Sequence, residues 1–385
     1  MRVLISSSSG YGHILPMVPL ARELQTRGHA VLWATGHDAC HLVASAGVQA
    51  EAAGLGEADL AAARGNLLAG AVGLRPDQLA GYIFPRMFGG IRPPRMLRDL
   101  LPLATQWAPD LLVHEQGELA GPLVAAILGI PSATHSFGGA TPAEILAEAT
   151  GHVAPLWDEH GLAIPPYAGC FQSLYIDICP ASVQTVSLAH IPVVQALRPV
   201  PYTGEDPYLL PTGDDRDRPL VYLTLGTVNS DAPVLGEALR AVADLGVRVI
   251  ATVGPRGDPA AFGRQPSHVT VERFVSQTAV LPHCAAVISH AGSGTVLGAL
   301  TLGLPQVCLP QAADQFRNAS GVTRSGAGVT LTPEQADPGS IAAAVRAVLE
   351  EDSYRRAAAA IAAEIATMPT TAEVVPRLES VVAAA

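Results

Sequence analysis

Short apolar runs alternate with helix-like stretches near the start of the chain. The apolar residues 3–5 and 31–34 are typical of buried strands. Between them, residues 16–27 have helical spacing, with a proline near the start and Gly28 just past the end. A second helical stretch covers residues 37–46 and stops at Gly47. This alternation of strand and helix predicts a parallel, doubly wound sheet.

The alternation is interrupted twice and restarts after a proline-rich segment. It dissolves between about residues 54 and 109 and loosens again over residues 137–174. Between these stretches, we predict strands at 111–114 and 131–135 and a helix at 119–128. Residues 199–219 are rich in proline, glycine and aspartate, which is typical of a semi-rigid linker. A second series of strands is predicted at residues 220–225, 247–252, 286–289 and 306–309.

Two α/β domains, each a doubly wound Rossmann-like sheet, are therefore expected. We predict an N-terminal domain over residues 1–200, a linker over 201–218 and a C-terminal domain over 219–368. The remaining residues, 369–385, form a C-terminal helix that we expect to pack back on the N-terminal domain. A cleft between two such domains is a frequent location for ligands.

Composition excludes several classes of protein. Hydrophobic residues make up 49% and charged residues 15% of the chain, which excludes a disordered protein. The net charge is -11, lysine is absent and no arginine-rich run occurs, so nucleic acid is not an expected partner. No run of about 18 apolar residues predicts a membrane span. The cysteines lack CxxC spacing, so we expect packing thiols in a cytoplasmic protein; they are Cys40, Cys170, Cys179, Cys284 and Cys308.

The strongest chemical signal is the glycine-rich turn that covers residues 290–295. It follows the predicted strand 286–289 and precedes a helical run. Glycine lets the backbone approach a ligand closely, and the amides of a helix N-terminus attract anions. The turn therefore suits a diphosphate bound without metal, although a glycine-rich turn without a ligand remains an alternative on this pattern alone.

The sequence from His290 to Ala319 resembles the donor-site signature of family 1 glycosyltransferases, the GT-B class that includes plant and antibiotic enzymes. Residues 12–17 resemble the acceptor-side motif of this family, and residues 225–227 and 274–277 match two further landmarks. The resemblance implies a GT-B fold, in which two Rossmann-like domains face each other across a cleft. It also implies inverting, metal-independent transfer of a sugar from a nucleotide-sugar co-substrate, with no other cofactor.

The resemblance also assigns roles in binding the nucleotide-sugar. Asp314 and Gln315 are expected on the sugar hydroxyls, and Phe274 on the base, where many relatives stack a tryptophan. His290, Ser293, Gly294, Thr295 and Thr227 are expected on the phosphates. The full predicted donor set is Gly12, Gly226, Thr227, Phe274, Val275, Gln277, His290, Gly292, Ser293, Gly294, Thr295, Asp314 and Gln315. Gly298 replaces the ribose-binding glutamate of UDP-using plant members, so we expect a dTDP-sugar.

His13 and Glu115 are the predicted catalytic residues. His13 follows the first strand, and histidine suits general-base work near neutral pH. The family often has an aspartate after the strand at 111–114; here Glu115 occupies that place and is expected to orient His13. Asp110 is the alternative, but it lies at the entrance of the strand, where a turn or cap role is expected.

The acceptor is expected to be a lipophilic natural product such as a polyketide antibiotic. Both irregular stretches carry apolar and aromatic side chains that could line its site. The predicted acceptor-binding residues are Tyr11, Phe84, Met87, Phe88, Phe137 and Trp157. Four nearby arginines could contact an acidic acceptor or a membrane, although a solvated helix face is favoured; they are Arg86, Arg92, Arg95 and Arg98.

Three other functions are considered. A transferase acting on a membrane lipid would need a basic and apolar docking surface, for which residues 91–101 are the candidate. A nucleotide-sugar epimerase would not need an acceptor pocket. A non-catalytic nucleotide-sugar-binding or auxiliary protein is disfavoured because His13 and the complete donor motif are present. No GxGxxG sequence supports a dehydrogenase, and a homodimer remains possible.

Overall fold

The computed structural model describes residues 1–202, 204, 208–211, 217–226, 233–255 and 257–385. These residues form two compact units. The first contains Met1–Cys179, Val186–Arg198 and Met368–Ala385, and the second contains Pro180–Thr185 and Pro199–Thr367. Much of the predicted linker, including residues 212–216, lies outside the described residues.

One short segment departs from the predicted domain boundaries. Pro180–Thr185 falls within the predicted N-terminal domain but belongs to the second unit. The backbone amide of Ser182 donates to Glu364 Oε1 at 3.2 Å, which ties the segment to that unit. The carbonyl of Val183 also lies so close to Gly321 that an added Cβ would approach it to 2.4 Å. Tertiary contacts of this kind leave no periodic signal in the sequence.

The first unit is built on a seven-stranded, wholly parallel sheet. Its strands are β1 (Arg2–Ser6), β2 (Ala30–Thr35), β3 (Gln49–Ala52), β4 (Leu111–Glu115), β5 (Ser132–His135), β6 (Leu174–Asp177) and β7 (Val194–Ala196). The strands predicted from apolar runs in this unit are all present. Three strands were not predicted. The edge strands β3 and β7 are short and largely exposed, so they carry no apolar run, and β6 is a buried strand of only four residues at the end of the second irregular stretch.

The order of the strands fixes where a ligand can bind. The order is β3-β2-β1-β4-β5-β6-β7. Strands β2 and β3 are added on one side of β1, and β4 to β7 on its other side, so the strand order reverses between β1 and β4. In doubly wound sheets, ligands bind outside the carboxyl ends of the strands at such a switch point. Residues that follow β1 and β4 are therefore brought together.

Helices cover the sheet and fill the first irregular stretch. They are α1 (Tyr11–Ile14), α2 (Val18–Thr26), α3 (Cys40–Ser45), α4 (Glu57–Gly70), α5 (Pro76–Phe84), α6 (Arg92–Trp107), α7 (Gly121–Leu128) and α8 (Ala143–Glu159). A π-helical segment, Pro85–Ile91, joins α5 to α6. Its prolines disguised this region. Pro76 lies in the first turn of α5, where a missing N–H costs no hydrogen bond, whereas Pro85, Pro93 and Pro102 lie within the continuous helical run of residues 76–107.

The second unit repeats the same topology with six parallel strands in the order β10-β9-β8-β11-β12-β13. These strands are β8 (Leu220–Thr224), β9 (Arg248–Thr252), β10 (Val269–Glu272), β11 (Ala286–Ser289), β12 (Gln306–Cys308) and β13 (Gly328–Thr330). The helices are α9 (Pro233–Ala243), α10 (Gln277–Val280), α11 (Ser293–Thr301), α12 (Gln315–Arg324), α13 (Pro338–Glu350) and α14 (Asp352–Thr367). Its switch point lies between β8 and β11.

The C-terminal helix α15 (Thr371–Ala383) belongs to the first unit. It packs on α2, and Glu379 Oε1 lies 2.9 Å from His29 Nε2. Thr370 and Glu373 form a capping box at its start. Within the described ranges, no helix is long and apolar enough to span a membrane. All five cysteines are free thiols, and all except Cys40 are buried.

Candidate active site

His13 and Glu115 meet at the switch point of the first sheet. His13 lies on α1, directly beyond the serine-rich loop that follows β1, and Glu115 is the last residue of β4. His13 Nδ1 lies 3.1 Å from Glu115 Oε1, which is ion-pair distance, although the two groups are not aligned for a hydrogen bond. The Glu115 side chain is fully buried, whereas 21% of the His13 side chain is exposed. Because Nδ1 faces the carboxylate, Nε2 is the ring nitrogen that remains to accept a proton from a ligand.

Glu115 is held as a carboxylate despite its burial. Burial by itself would raise its pKa, but nearby His13 and hydrogen bonds from Gly117 and Ser8 lower the pKa to about 2. The amide of Gly117 donates to Oε2 at 2.5 Å, and the amide of Ser8 donates to Oε1 at 3.3 Å. The carboxylate can therefore orient the imidazole of His13 and stabilise its protonated form.

Two of the predicted acceptor-binding aromatic residues flank His13, and a third packs on one of them. The rings of Phe137 and Phe88 lie 5.0 and 5.6 Å from the imidazole, centre to centre. Phe84 stacks on Phe88 at 4.6 Å. Tyr11, on the same short helix as His13, is half-buried. The imidazole is thus flanked by apolar surface.

Two predicted acceptor-binding residues lie in the protein interior instead. Trp157 is 2% exposed and belongs to the core cluster between the sheet and α8, and Met87 is 3% exposed. The Trp157 ring also packs on Gly169, where an added Cβ would lie 3.0 Å from Cζ2. Apolar character alone could not separate core from site. Burial favours a packing role for both side chains.

Gly117 and the π-helical segment place Phe88 beside His13. A Cβ added at Gly117 would lie 2.9 Å from the Phe88 ring, so only glycine allows this approach. π-Helical insertions are frequent at functional sites, because the extra residue redirects side chains. Asp110 lies at the opposite end of β4, where its carboxylate accepts the amide of Arg2 at 2.7 Å. This contact joins the starts of β1 and β4, and is neither a turn nor a helix cap.

In the second unit, His290 follows β11 and fits between two glycines. A Cβ added at Gly226 or Gly292 would lie 2.6 or 2.5 Å from the imidazole, so both positions must lack a side chain. Burial lowers the pKa of His290 to about 4, although Asp314 acts in the opposite direction. The imidazole is therefore neutral near pH 7 and can donate one N–H. Thr227, predicted beside it, lies outside the described residues.

The N-terminus of α11 presents free backbone donors. Its N-cap is Gly292, and no described side chain caps the helix, so the amides of Ser293, Gly294 and Thr295 can bind an anion. The Thr295 hydroxyl accepts from Gln277 Nε2 at 2.9 Å, which leaves its own proton for a ligand. The Ser293 hydroxyl instead donates to Asp314 Oδ2 at 2.7 Å, so at Ser293 the amide is the available donor.

Asn318 is a residue of this site that the sequence analysis missed. Its Nδ2 donates to Asp314 Oδ2 at 2.9 Å and to the carbonyl of Ala291 at 3.0 Å, joining α12 to the glycine-rich turn. Gln315 Oε1 accepts the amides of Gln311 and Ala312 at 2.8 and 2.9 Å, which shapes the loop before α12. Asn318 falls within the run that resembles the family signature, but only its contacts show that it fixes Asp314 and the glycine-rich turn.

The remaining predicted donor residues differ in their surroundings. Phe274 is 39% exposed rather than part of a core, whereas Val275 is 4% exposed. Gly298 is buried in α11, and a Cβ there would lie 3.4 Å from Leu281 Cδ1 and 3.9 Å from Gln277 Oε1. Gly12 lies in the first unit, with no neighbour within 4 Å of an added Cβ. In the part of the chain that the structure describes, no group of three or more metal-ligating side chains occurs.

Comparison with known proteins finds relatives that match almost the whole chain. Residues 236–381 and 81–226 match the C-terminal and N-terminal domains of the family described as erythromycin biosynthesis protein CIII-like. The L-demethylnoviosyl transferase of Streptomyces niveus is 33% identical over 97% of this chain and 96% of its own. The elloramycin glycosyltransferase of Streptomyces olivaceus is 32% identical, over 99% of this chain and 97% of its own. The crystal structure of the Streptomyces sp. SF2575 glycosyltransferase SsfS6 with thymidine diphosphate has a TM-score of 0.81 at 30% identity, covering 99% of each chain.

Proposed function

The chain belongs to the erythromycin biosynthesis protein CIII-like family of GT-B glycosyltransferases, and on that premise we propose that it transfers a deoxysugar from a dTDP-sugar to a hydroxyl of a lipophilic natural product, with inversion. The observation that carries the proposal is the contact between His13 and the buried Glu115 carboxylate. Phe88 and Phe137 pack beside the imidazole of His13. The arrangement places a proposed general base, the carboxylate that orients it and an apolar surface for the acceptor side by side.

In the proposed reaction, His13 Nε2 takes the proton of the acceptor hydroxyl as that oxygen attacks the anomeric carbon of the donor. The bond to the diphosphate breaks, and a single displacement from the opposite face inverts the anomeric centre. Glu115 holds the imidazole by Nδ1 and stabilises the positive charge that the ring acquires. A carboxylate with a pKa of about 2 stays ionised throughout this step at neutral pH.

The departing diphosphate needs donors that stabilise its growing negative charge. In the second unit, the amides at the start of α11, the Thr295 hydroxyl and neutral His290 supply them. The chain contains no lysine, and we propose that these groups act without a metal ion. The Ser293–Asp314–Asn318 network presents a fixed carboxylate, which suits the proposed contact with sugar hydroxyls.

The acceptor class is proposed from the apolar surroundings of His13 and from relatives named for noviosyl transfer and for elloramycin glycosylation. A membrane lipid acceptor receives less support. Arg86 and Arg95, which lie in or beside the candidate docking stretch, are paired with Glu148 and Asp99 at 2.9 and 2.6 Å. These ion pairs neutralise part of the charge that anionic lipid would require.

His13→Ala tests the proposal. Loss of the base should lower kcat by ~10²–10⁴, while dTDP affinity measured by calorimetry stays near that of the wild type. The matched control is His41→Ala, which removes an exposed histidine of α3 and should leave kcat unchanged. A fall of less than tenfold for His13→Ala would contradict the assignment of the base.

A further inference from the structure

Arg92 differs from the other arginines of its region because its charged group is buried. Arg86 and Arg95 form ion pairs, and the side chain of Arg98 is 66% exposed. Arg92 is the first residue of α6, and its Nε and Nη1 atoms are buried with no hydrogen-bond partner among the described residues. Burial lowers the pKa of Arg92 to about 10, so the guanidinium remains protonated at neutral pH. The first unit therefore contains a cation that is shielded from water.

This cation packs on the aromatic ring that lies beside His13. The guanidinium carbon of Arg92 lies over the Phe88 ring, 4.4 Å from its centre, and Phe84 stacks on the same ring at 4.6 Å. Both faces of Phe88 are thus covered, while its centre lies 5.6 Å from the centre of the His13 imidazole. The sum of the 4.4 and 5.6 Å distances, about 10 Å, is the greatest possible separation of the guanidinium carbon from the imidazole centre.

The same guanidinium lies close to the residues that hold the Glu115 carboxylate. Arg92 lines a narrow pocket together with Ser8 and Gly117. The backbone amides of these two residues donate to Oε1 and Oε2 of Glu115 at 3.3 and 2.5 Å. The Glu115 carboxylate in turn acts to raise the pKa of Arg92, against the effect of burial. The buried cation and the buried carboxylate therefore attract each other.

The charge of Glu115 has two opposing effects on a general base. The carboxylate stabilises the imidazolium that forms during the reaction, but it also favours protonation of His13 before the acceptor binds, and a protonated ring cannot take the proton of a hydroxyl. A cation nearby opposes this early protonation, because two positive charges in a poorly solvated site repel each other. Arg92 is placed to supply that cation, and the charges of Arg64 and Glu57 on α4 act on it in opposite directions.

Three other titratable groups lie around Glu115 and His13, and none supplies a positive charge at neutral pH. Glu118, beyond β4, is acidic, and burial raises its pKa to about 7. His135 lies beside Glu115 in the register of β4 and β5, and burial lowers its pKa to about 4, so its ring is neutral. Tyr11, on the same short helix as His13, has no cationic form.

We propose that Arg92 is a positioning residue for the general base. Its cation holds the Phe88 ring beside His13. It also offsets part of the Glu115 charge, so that more of His13 is unprotonated at neutral pH than the carboxylate alone would allow. The inference rests on the proposed role of His13 as the base. Arg92 itself touches neither substrate, in agreement with its buried nitrogen atoms, and it increases the fraction of enzyme that is ready to accept the proton.

Nuclear magnetic resonance of the enzyme without substrates tests this proposal. The histidine rings are labelled with ¹³C at Cε1, and the signal that is absent from His13→Ala belongs to His13. Arg92→Met and Arg92→Gln each remove the cation, so the pH at which half of His13 is protonated should rise by roughly 0.3 to 1 unit. Arg92→Lys keeps a cation and should keep the wild-type value. The control Arg98→Met removes an exposed charge that water and salt screen, and should also keep that value.

A rise of less than about 0.3 unit, or a fall, in Arg92→Met and Arg92→Gln overturns the proposal. An equal rise in Arg92→Lys or Arg98→Met also overturns it, because the effect would then not come from the buried charge. Melting temperatures show which of the two neutral variants is folded, and the folded variant decides. If neither folds, Arg92 serves the stability of the first unit, and the proposal fails.

Catalysis provides the second readout. In Arg92→Met, the acid limb of the pH profile of kcat/KM should move to higher pH by the same amount as the His13 titration. Mass spectrometry of products from a panel of dTDP-sugars and polyketide aglycones, with the wild-type enzyme, separates the two proposals. A shifted His13 titration without any glycoside product would contradict the proposed function alone, whereas glycoside formation with an unshifted titration would contradict the role of Arg92 alone.

Discussion

At the scale of single residues, the site depends on which atoms of a side chain are already engaged. Both oxygens of Glu115 accept backbone amides, from Ser8 and Gly117, while Oε1 also faces His13. The longer side chain that replaces the family's aspartate is thus anchored on both sides. Ser293 shows the opposite effect, since its hydroxyl is committed to Asp314 and only its amide remains for a ligand.

Glu115→Gln should lower kcat by roughly 10²-fold. An amide has only one accepting oxygen, so it cannot satisfy both backbone donors and still stabilise protonated His13. Steady-state kinetics with dTDP affinity as the control measures this effect. Glu115→Asp keeps the charge but moves it back by one methylene, so its kcat should lie between those of the wild type and Glu115→Gln. A kcat for Glu115→Gln within threefold of the wild type would remove Glu115 from the mechanism.

The nucleotide preference is also argued at one residue. Gly298 supplies no carboxylate for a ribose hydroxyl, and its surroundings are filled by Leu281 and Gln277. A 2′-deoxyribose needs no such partner, so kcat/KM should be at least tenfold higher with dTDP-glucose than with UDP-glucose. Competition between free dTDP and UDP, measured by calorimetry, is the control. Equal or reversed kcat/KM values would contradict the proposed donor.

At the scale of elements, the site of the second unit lies where the carboxyl ends of β8 and β11 meet. The loops after β8 and β11 converge on the imidazole of His290, and Gly226 and Gly292 leave room for it from either side. Gly226 also has a φ of 79°, which disfavours any other residue. Ala291 and Ala313, at φ 63° and 55°, show that strained backbone flanks this site.

Gly226→Ala and Gly292→Ala should each destabilise the second unit by ~1–3 kcal/mol, because the new methyl group collides with His290. Gly294→Ala is the matched control, since nothing lies within 4 Å of a Cβ at that position. Thermal denaturation compares the three variants. Equal melting temperatures for Gly292→Ala and Gly294→Ala would show that His290 does not occupy the space between the glycines.

At the scale of the whole molecule, buried titratable groups set how stability depends on pH. Burial lowers the pKa values of His114, His135 and His290 to about 4 each. The unfolded chain therefore binds protons between about pH 6.5 and pH 4 that the folded chain does not, and acid favours unfolding. Glu118 has the opposite effect on stability. Burial raises its pKa to about 7, so the folded chain binds this proton more tightly than the unfolded chain, and acid favours folding. Below about pH 4.5, Glu115, with its pKa of about 2, adds to the acid destabilisation.

Three histidines outweigh one glutamate, so the free energy of unfolding should fall between pH 7 and pH 5, on the order of 3 kcal/mol. Urea denaturation at the two pH values measures the change, and His41→Ala, with its exposed ring, should behave as the wild type. Replacing His114 by glutamine should reduce the pH dependence. A stability that is constant or increases on acidification would mean that these histidines are not buried as neutral rings.

The sequence alone determined the local features of this protein. Apolar runs and helix signals predicted strands in both sheets, and the glycine-rich turn indicated the helix N-terminus at α11 that we propose as an anion site. These features are local, because a buried strand must be apolar and a close backbone approach requires glycine. They gave no warning of β3 and β7, whose exposed residues lack such a pattern, or of the three- and four-residue strands β6, β10 and β13.

The tertiary structure decided which distant residues act together. It buried Trp157 and Met87, and it placed the Phe88 ring beside His13. No periodicity in the sequence separates a buried side chain from one beside the site, because each position depends on the strand order and on where neighbouring glycines leave space. The sequence therefore determined the kinds of groups that were present, and the packing decided which of them could reach a substrate.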